Sequence, residues 1–254
     1  MSYLIDTHCH LHDREFFTSE QAEEMLERAY KNNVKQIVCI GTDPEDSMQA
    51  CDFANAHENI YWAYGVHPSE VEKNHDRFKK DEKLVAIGEV GLDYHYEGYE
   101  REKQIKLFEQ MLQLALDNDL PLSFHVREAF PDFFAVVSNF PKVRGVVHSF
   151  TDNKKVLKRI LDETNFYVGV NGLATYSTLP TPPLERILLE TDAPFLTPKP
   201  FRGIINGPVH IRDIAEWLGT KLGLETEIIE RETTKNARKL FGLQDPVLCK
   251  TRSL

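Results

Sequence analysis

Short apolar runs recur along the chain at residues 3–5, 36–40, 60–64, 84–87, 121–125, 145–148, 166–170 and 187–190. Each is a few residues long and nearly continuous in apolar side chains, the pattern of a parallel strand covered on both faces. Between most of them the period changes. It is clearest over 99–116, where Ile105, Phe108, Met111, Leu112 and Ala115 recur at spacings of three and four and predict an amphipathic helix. Strand then helix, repeated eight times, predicts an α/β architecture, the (β/α)8 TIM barrel. Two more helices are predicted over 209–222 and 226–240, with Gly223 and Gly242 as stop signals.

One connection departs from the pattern. Residues 171–186 include Pro180, Pro182 and Pro183, which leave little room for a crossover helix. Either the seventh helix is nearly absent or a flexible segment has been lost from this stretch. The length of 254 residues, 41% of them hydrophobic, suits one barrel around one core, so a single domain over 1–254 is expected. No apolar run approaches the ~20 residues that span a bilayer, and no basic-then-apolar leader opens the chain, so no membrane association is expected. Cys9, Cys39, Cys51 and Cys249 form no CxxC pair and fit free thiols in the cytoplasm. The net charge of −10 argues against a broad basic surface that holds nucleic acid. A polyphosphate substrate would have to be attracted locally, for example by metal ions.

Candidate chemistry follows from where polar residues interrupt the strands. His8 and His10, two apart at the end of the first run, leave the same face while Cys9 points the other way. Glu89 follows the run 84–87, His125 ends 121–125, His148 ends 145–148, and Asp192 follows 187–190. Each is expected at the C-terminal end of a different strand, where barrel enzymes place their catalytic groups. Together they offer imidazoles and carboxylates for two divalent cations, and predict a metal-dependent hydrolase. Glu89, on a middle strand, is the best candidate to bridge two ions. Asp192 is the candidate to bind one ion and to hold or accept the proton of an attacking water. With two carboxylates opposing four metal charges, a local excess of about two positive charges is expected.

Five motifs can then be taken together: Ile5-Asp6-Thr7-His8-Cys9-His10, Gly65-Val66-His67-Pro68, Ala86-Ile87-Gly88-Glu89-Val90-Gly91-Leu92-Asp93, His148-Ser149-Phe150 and Leu189-Glu190-Thr191-Asp192-Ala193-Pro194-Phe195-Leu196. In order and spacing they resemble the TatD family of metal-dependent deoxyribonucleases, from Tyr3 to Leu243. The resemblance implies an amidohydrolase-like barrel in which His8, His10, Glu89 and Asp192 hold one metal, and Glu89, His125 and His148 the second. It implies hydrolysis of DNA phosphodiesters by a 3′→5′ exonuclease dependent on Mg²⁺, with single strands or 3′ ends as substrate. His67 and Arg127 match substrate-side positions; a capped turn and a surface ion pair are their structural alternatives. Two departures bear on the substrate. Thr151-Asp152 stands where members usually carry Ser-Gly, and Ile205-Asn206-Gly207-Pro208 replaces the usual Arg-Asn-Glu-Pro, which removes a charged pair from the mouth.

The same ions on a carbonyl would give an ester or amide hydrolase, including removal of a D-amino acid from tRNA, an activity also linked to TatD-like proteins. Zn²⁺ and Mn²⁺ suit the imidazoles, and Mg²⁺ suits phosphodiester chemistry. Tyr94, Tyr96, Phe150 and Phe195 are candidates to stack unpaired bases at the rim, with core packing as the alternative.

Overall fold

A computed structural model of the chain describes residues 2–73 and 78–247. Eight strands form one parallel sheet in sequence order: β1 (Leu4–Cys9), β2 (Val34–Ile40), β3 (Ile60–Tyr64), β4 (Leu84–Asp93), β5 (Leu122–Arg127), β6 (Gly145–Val147), β7 (Tyr167–Val170) and β8 (Ile187–Leu189). The first and last come together through a parallel bridge between Cys9 and Ala193, which completes the TIM barrel. The helices are α1 (Ser19–Lys31), α2 (Pro44–Ala56), α3 (Arg101–Asn118), α4 (Phe130–Val137), α5 (Lys154–Glu163), α6 (Ile211–Leu222) and α7 (Thr226–Phe241). None is long and apolar enough to cross a membrane among the described residues.

Local chemistry sets the helix ends. Thr18 accepts from Gln21 N while the Gln21 side chain returns to Thr18 N, a capping box that starts α1. Asp43 caps α2 by accepting from Asp46 N, and Asn153 caps α5 by accepting from Lys155 N and Val156 N. Gly223 and Gly242 end α6 and α7 with φ of 67° and 69°, a conformation that suits glycine.

Two expectations about the connections differ in outcome. The short connection before β8 holds only 3-10 turns, Gly172–Thr175 and Leu184–Arg186, so the prolines do exclude a seventh crossover helix. The eightfold strand-helix repeat also fails after β3, where the described residues form a 3-10 turn, Pro68–Glu70, led by Pro68. Cys9, Cys39 and Cys51 are buried free thiols, and Cys249 lies outside the described residues.

Strand alternation divides the core in two. Leu4, Ile37, Cys39, Ile187 and Leu189 join the larger cluster, formed with the helices on the outer face. Their neighbours Ile5, Val38, Ile40 and Leu188 face the barrel interior and form a second cluster, against which Ala237, Leu240 and Phe241 of α7 pack. The interior is thus packed with side chains, and polar groups are left for one end.

Candidate metal centre

Neither Glu89 nor His125 ends its strand, contrary to the sequence expectation. β4 runs on to Asp93 and β5 to Arg127, and the two stay paired through Gly91–His125 and Asp93–Arg127. Gly91 makes that close approach possible: a Cβ there would lie 1.9 Å from the His125 carbonyl oxygen. A register shift between Ile87 and Val90 falls at Glu89 itself. His148 does directly follow β6, and its N–H donates to Phe124 O at 3.0 Å. Asp192 lies beyond β8 with φ 57°, in the left-handed region that Asp tolerates. There its N–H donates to His8 O (2.8 Å), and His10 N donates to Ala193 O (2.7 Å), so the chain after β8 is fastened beside the first motif.

These placements gather all six predicted ligands. Glu89 Oε1 lies 2.5 Å from His125 Nδ1 and 3.0 Å from His148 Nε2, while Oε2 lies 3.4 Å from His8 Nε2. Asp192 Oδ1 is 3.5 Å from His8 Nε2 and 3.4 Å from His10 Nε2. One carboxylate therefore faces two groups of imidazoles, one through each oxygen. Donor atoms of His8, His10 and Glu89 lie within 4.8 Å of one another, as do those of His8, His148 and Glu190 and those of His67, Glu89 and His125.

The donor chemistry fits a metal. His10 Nδ1 donates to Ile40 O at 2.9 Å, which leaves the Nε2 lone pair directed at a carboxylate oxygen. Two electron-rich atoms face each other comfortably only across a cation or a proton, and a backbone carbonyl on the far nitrogen is how metal-binding imidazoles are usually held. Buried His8 Nε2 likewise faces Glu89 and Asp192 without a hydrogen-bond partner. Burial pushes the Glu89 carboxyl up, but His148, His125 and His8 outweigh it and hold the group well below the ordinary carboxylate range. Asp192 is likewise held down by His10, His148 and His8 against its burial. Both carboxylates are thus ionised as ligands require.

The capped-turn reading of His67 is met in the structure. It caps the turn after β3, where Nδ1 accepts from Ser69 N at 3.1 Å. That bond leaves Nε2 as the protonated nitrogen, 3.9 Å from Glu89 Oε1. Burial, then the neighbouring His125, lowers its pKa to about 4, so the ring is neutral and able to donate into the cavity. Arg127 also lines the cavity, where its guanidinium lies 5.3 Å from the Tyr96 ring centre and Nη1 contacts the Tyr96 hydroxyl at 3.4 Å.

Three acidic residues missed as site components orient the ligands. Asp93 accepts from His125 Nε2 at 2.9 Å. Glu190, fully buried, faces His148 Nδ1 at 3.5 Å and accepts from Ser149 N at 2.6 Å. Asp6 accepts from Thr191 N and Oγ1 and so ties β1 to the Asp192 segment. Spacing carried a signal for two of them: Asp93 lies four residues past Glu89 on one strand, and Glu190 lies two before Asp192. Asn206, from the departing Ile205-Asn206-Gly207-Pro208 stretch, donates to Thr191 O and Phe195 O and holds the same segment from outside.

The centre opens into a cavity of about 840 Å³. Its lining corrects the charge balance expected from the sequence: Asp13, Glu70, Glu89, Asp93 and Asp192 face it, against Arg127. With neutral imidazoles, two divalent cations would bring it only to about neutrality. Of the aromatic candidates, Tyr96 (66% exposed) and Phe195 (45%) line the rim. Phe150 is buried in the core, and Tyr94 packs on Tyr99 with its hydroxyl on Asp132.

The family described as TatD related DNase matches residues 5–242. The chain belongs to that family. It is 34% identical to the uncharacterized metal-dependent hydrolase YabD of Bacillus subtilis, an alignment covering 94% of this chain and 99% of the relative. It is also 34% identical to the 3′-5′ ssDNA/RNA exonuclease TatD of Pantoea ananatis, over 89% of this chain and 95% of that protein. Among solved structures, the TatD homologue YJJV of Escherichia coli K12 superposes with a TM-score of 0.86 at 29% identity, covering 95% of this chain and 98% of the other. The chain is a metal-dependent hydrolase of the TatD family.

Proposed function

We propose that this protein is a 3′→5′ exonuclease acting on the phosphodiesters of single-stranded DNA or 3′ ends, with two divalent ions as cofactors that the residues around Glu89 would hold. The observation that carries the reading is the Glu89 carboxylate, Oε1 toward His125 and His148 and Oε2 toward His8. His8, His10, Glu89 and Asp192 would hold one ion, and Glu89, His125 and His148 the other. Bound Mg²⁺, Mn²⁺ or Zn²⁺ would supply Lewis acidity at the phosphate and lower the pKa of a water. Asp192, ionised and fixed by His8 and His10, is placed to accept that water's proton. His67 Nε2 is placed to donate to a phosphate or leaving oxygen, and Arg127 at the rim to pair with a phosphate of the strand. Three buried thiols agree with a reducing, cytoplasmic setting.

One observation favours a second reading. The mouth is rich in carboxylates, and exposed Ile205 (54%) stands where a charged residue is usual in the family. Such a mouth steers a polyanion weakly and suits an uncharged scissile carbonyl, as at the acyl end of a D-aminoacyl-tRNA, better than a charged phosphodiester. Metal analysis of the purified protein, followed by parallel assays on a 5′-labelled single strand and on D-aminoacyl-tRNA with each ion restored, decides between them. Stepwise loss of 3′ nucleotides with about two ions per chain is expected. Faster deacylation than DNA cleavage would reverse the assignment.

A further inference from the structure

A row of cations on this acidic protein lies away from the metal centre. Arg231, Lys235, Arg238 and Lys239 line a concavity of about 560 Å³ between α7 and the start of β1, and no carboxylate lines it. The ligands sit at the C-terminal side of the sheet, whereas Ser2 and Tyr3, which also line the concavity, precede β1. The groove is therefore at the opposite end of the barrel.

Its charges are arranged as a track. On α7 the four cations fall at i, i+4, i+7 and i+8, one side of a helix, over ~12 Å of its length. Part of this charge is engaged: Arg231 contacts Glu232, Lys235 lies 3.9 Å from the same carboxylate, and Arg238 bonds Asp245 and Leu243 O. Lys235 and Lys239 are exposed. The Tyr3 hydroxyl is buried beside Arg238 in the lining. An elongated row of cations with no carboxylate in the lining suits a phosphodiester backbone read without regard to base.

We infer that the α7 groove binds the sugar-phosphate backbone of a nucleic-acid strand, at a site separate from the metal centre. The inference does not depend on which bond the metal centre cleaves. The full chain is titrated into fluorescein-labelled oligothymidine with EDTA present, where cleavage is suppressed and the carboxylate-rich mouth repels the strand. Salt-dependent binding is expected, and K235Q/K239Q should weaken it about tenfold or more and reduce the log–log salt slope by about 2. The control K106Q/K142Q changes the net charge equally at exposed positions elsewhere and should bind as the parent does. Equal binding by the groove variant and the parent, with both showing the parent's circular dichroism, overturns the proposal. So does equal weakening by the control pair. Thymidine monophosphate or inorganic phosphate that displaces the strand at matched phosphate concentration also overturns it, because the groove would then hold a single phosphate and not a backbone.

Discussion

The two halves of the metal centre are built by different means. On the β1 and β8 side, His8, His10 and Asp192 are fixed by neutral groups: Ile40 O on His10, Ser123 Oγ on His8 at 3.2 Å, and backbone bonds joining 192–193 to 8–10. On the β4 to β6 side, the rings are backed by acids, Asp93 behind His125 and Glu190 behind His148. Burial pushes both of these imidazoles down, yet the surrounding carboxylates raise them, His148 well above its ordinary range. An anionic partner makes an imidazole a stronger donor, whereas a carbonyl or hydroxyl mainly aims it. The difference suggests one half tuned for affinity and one for position, with Glu89 shared between them.

The sharing gives the largest expected effect. Glu89→Ala removes the carboxylate that faces both halves and should abolish metal-dependent hydrolysis while lowering bound metal in both. Asp192→Ala should also abolish hydrolysis, but metal content should fall by about one ion. Plasma emission analysis of the two variants, each checked for a parent-like circular dichroism spectrum, tests the division. Undiminished activity in either variant would remove that residue from the centre, and identical metal content in both would remove the two-half description.

The extent to which this was legible in the sequence follows from the same geometry. His8, His10, Glu89, His125, His148 and Asp192 each interrupt or follow an apolar run, and strand order then brings them to one end. Their positions along the strands were misplaced because β4 and β5 extend beyond their apolar stretches, through Gly91 and Asp93, where pairing continues and composition no longer marks a strand. Glu190 was hidden in the opposite way: it directly follows β8 and is fully buried, so it resembled a strand residue until His148 was placed beside it. The carboxylate-lined mouth was also out of reach, because Asp13 and Glu70 come from connections whose path has no periodicity to read.

A smaller effect tests whether acidic and neutral backing differ. Glu190→Gln preserves an acceptor for Ser149 N but removes the charge behind His148, and loss of such an acidic partner typically costs 10–100-fold in metal affinity or activity. Ser123→Ala removes a neutral partner of His8 and should change metal affinity less than about threefold. Competition with a fluorescent chelator measures both. Equal losses would show that the two halves are held to the same purpose.

The smallest effects belong to the rim, where each half contributes one exposed ring. Phe195 follows Asp192 and rests edge-on against Phe16 at 5.1 Å, while Tyr96 follows β4 and lies under Arg127. If an unpaired base stacks on either, truncation should cost about 1 kcal/mol of binding, roughly fivefold in KM for a short single strand, with kcat little changed. Phe195→Ala should be the milder, since Phe16 remains as a second apolar face. Tyr96→Ala removes both a stacking face and the partner that positions the Arg127 guanidinium, so it should raise KM more and weaken its dependence on salt. Steady-state kinetics at two salt concentrations separate the contributions: a drop in kcat with unchanged KM in either variant would place that ring in the chemistry and not in substrate binding.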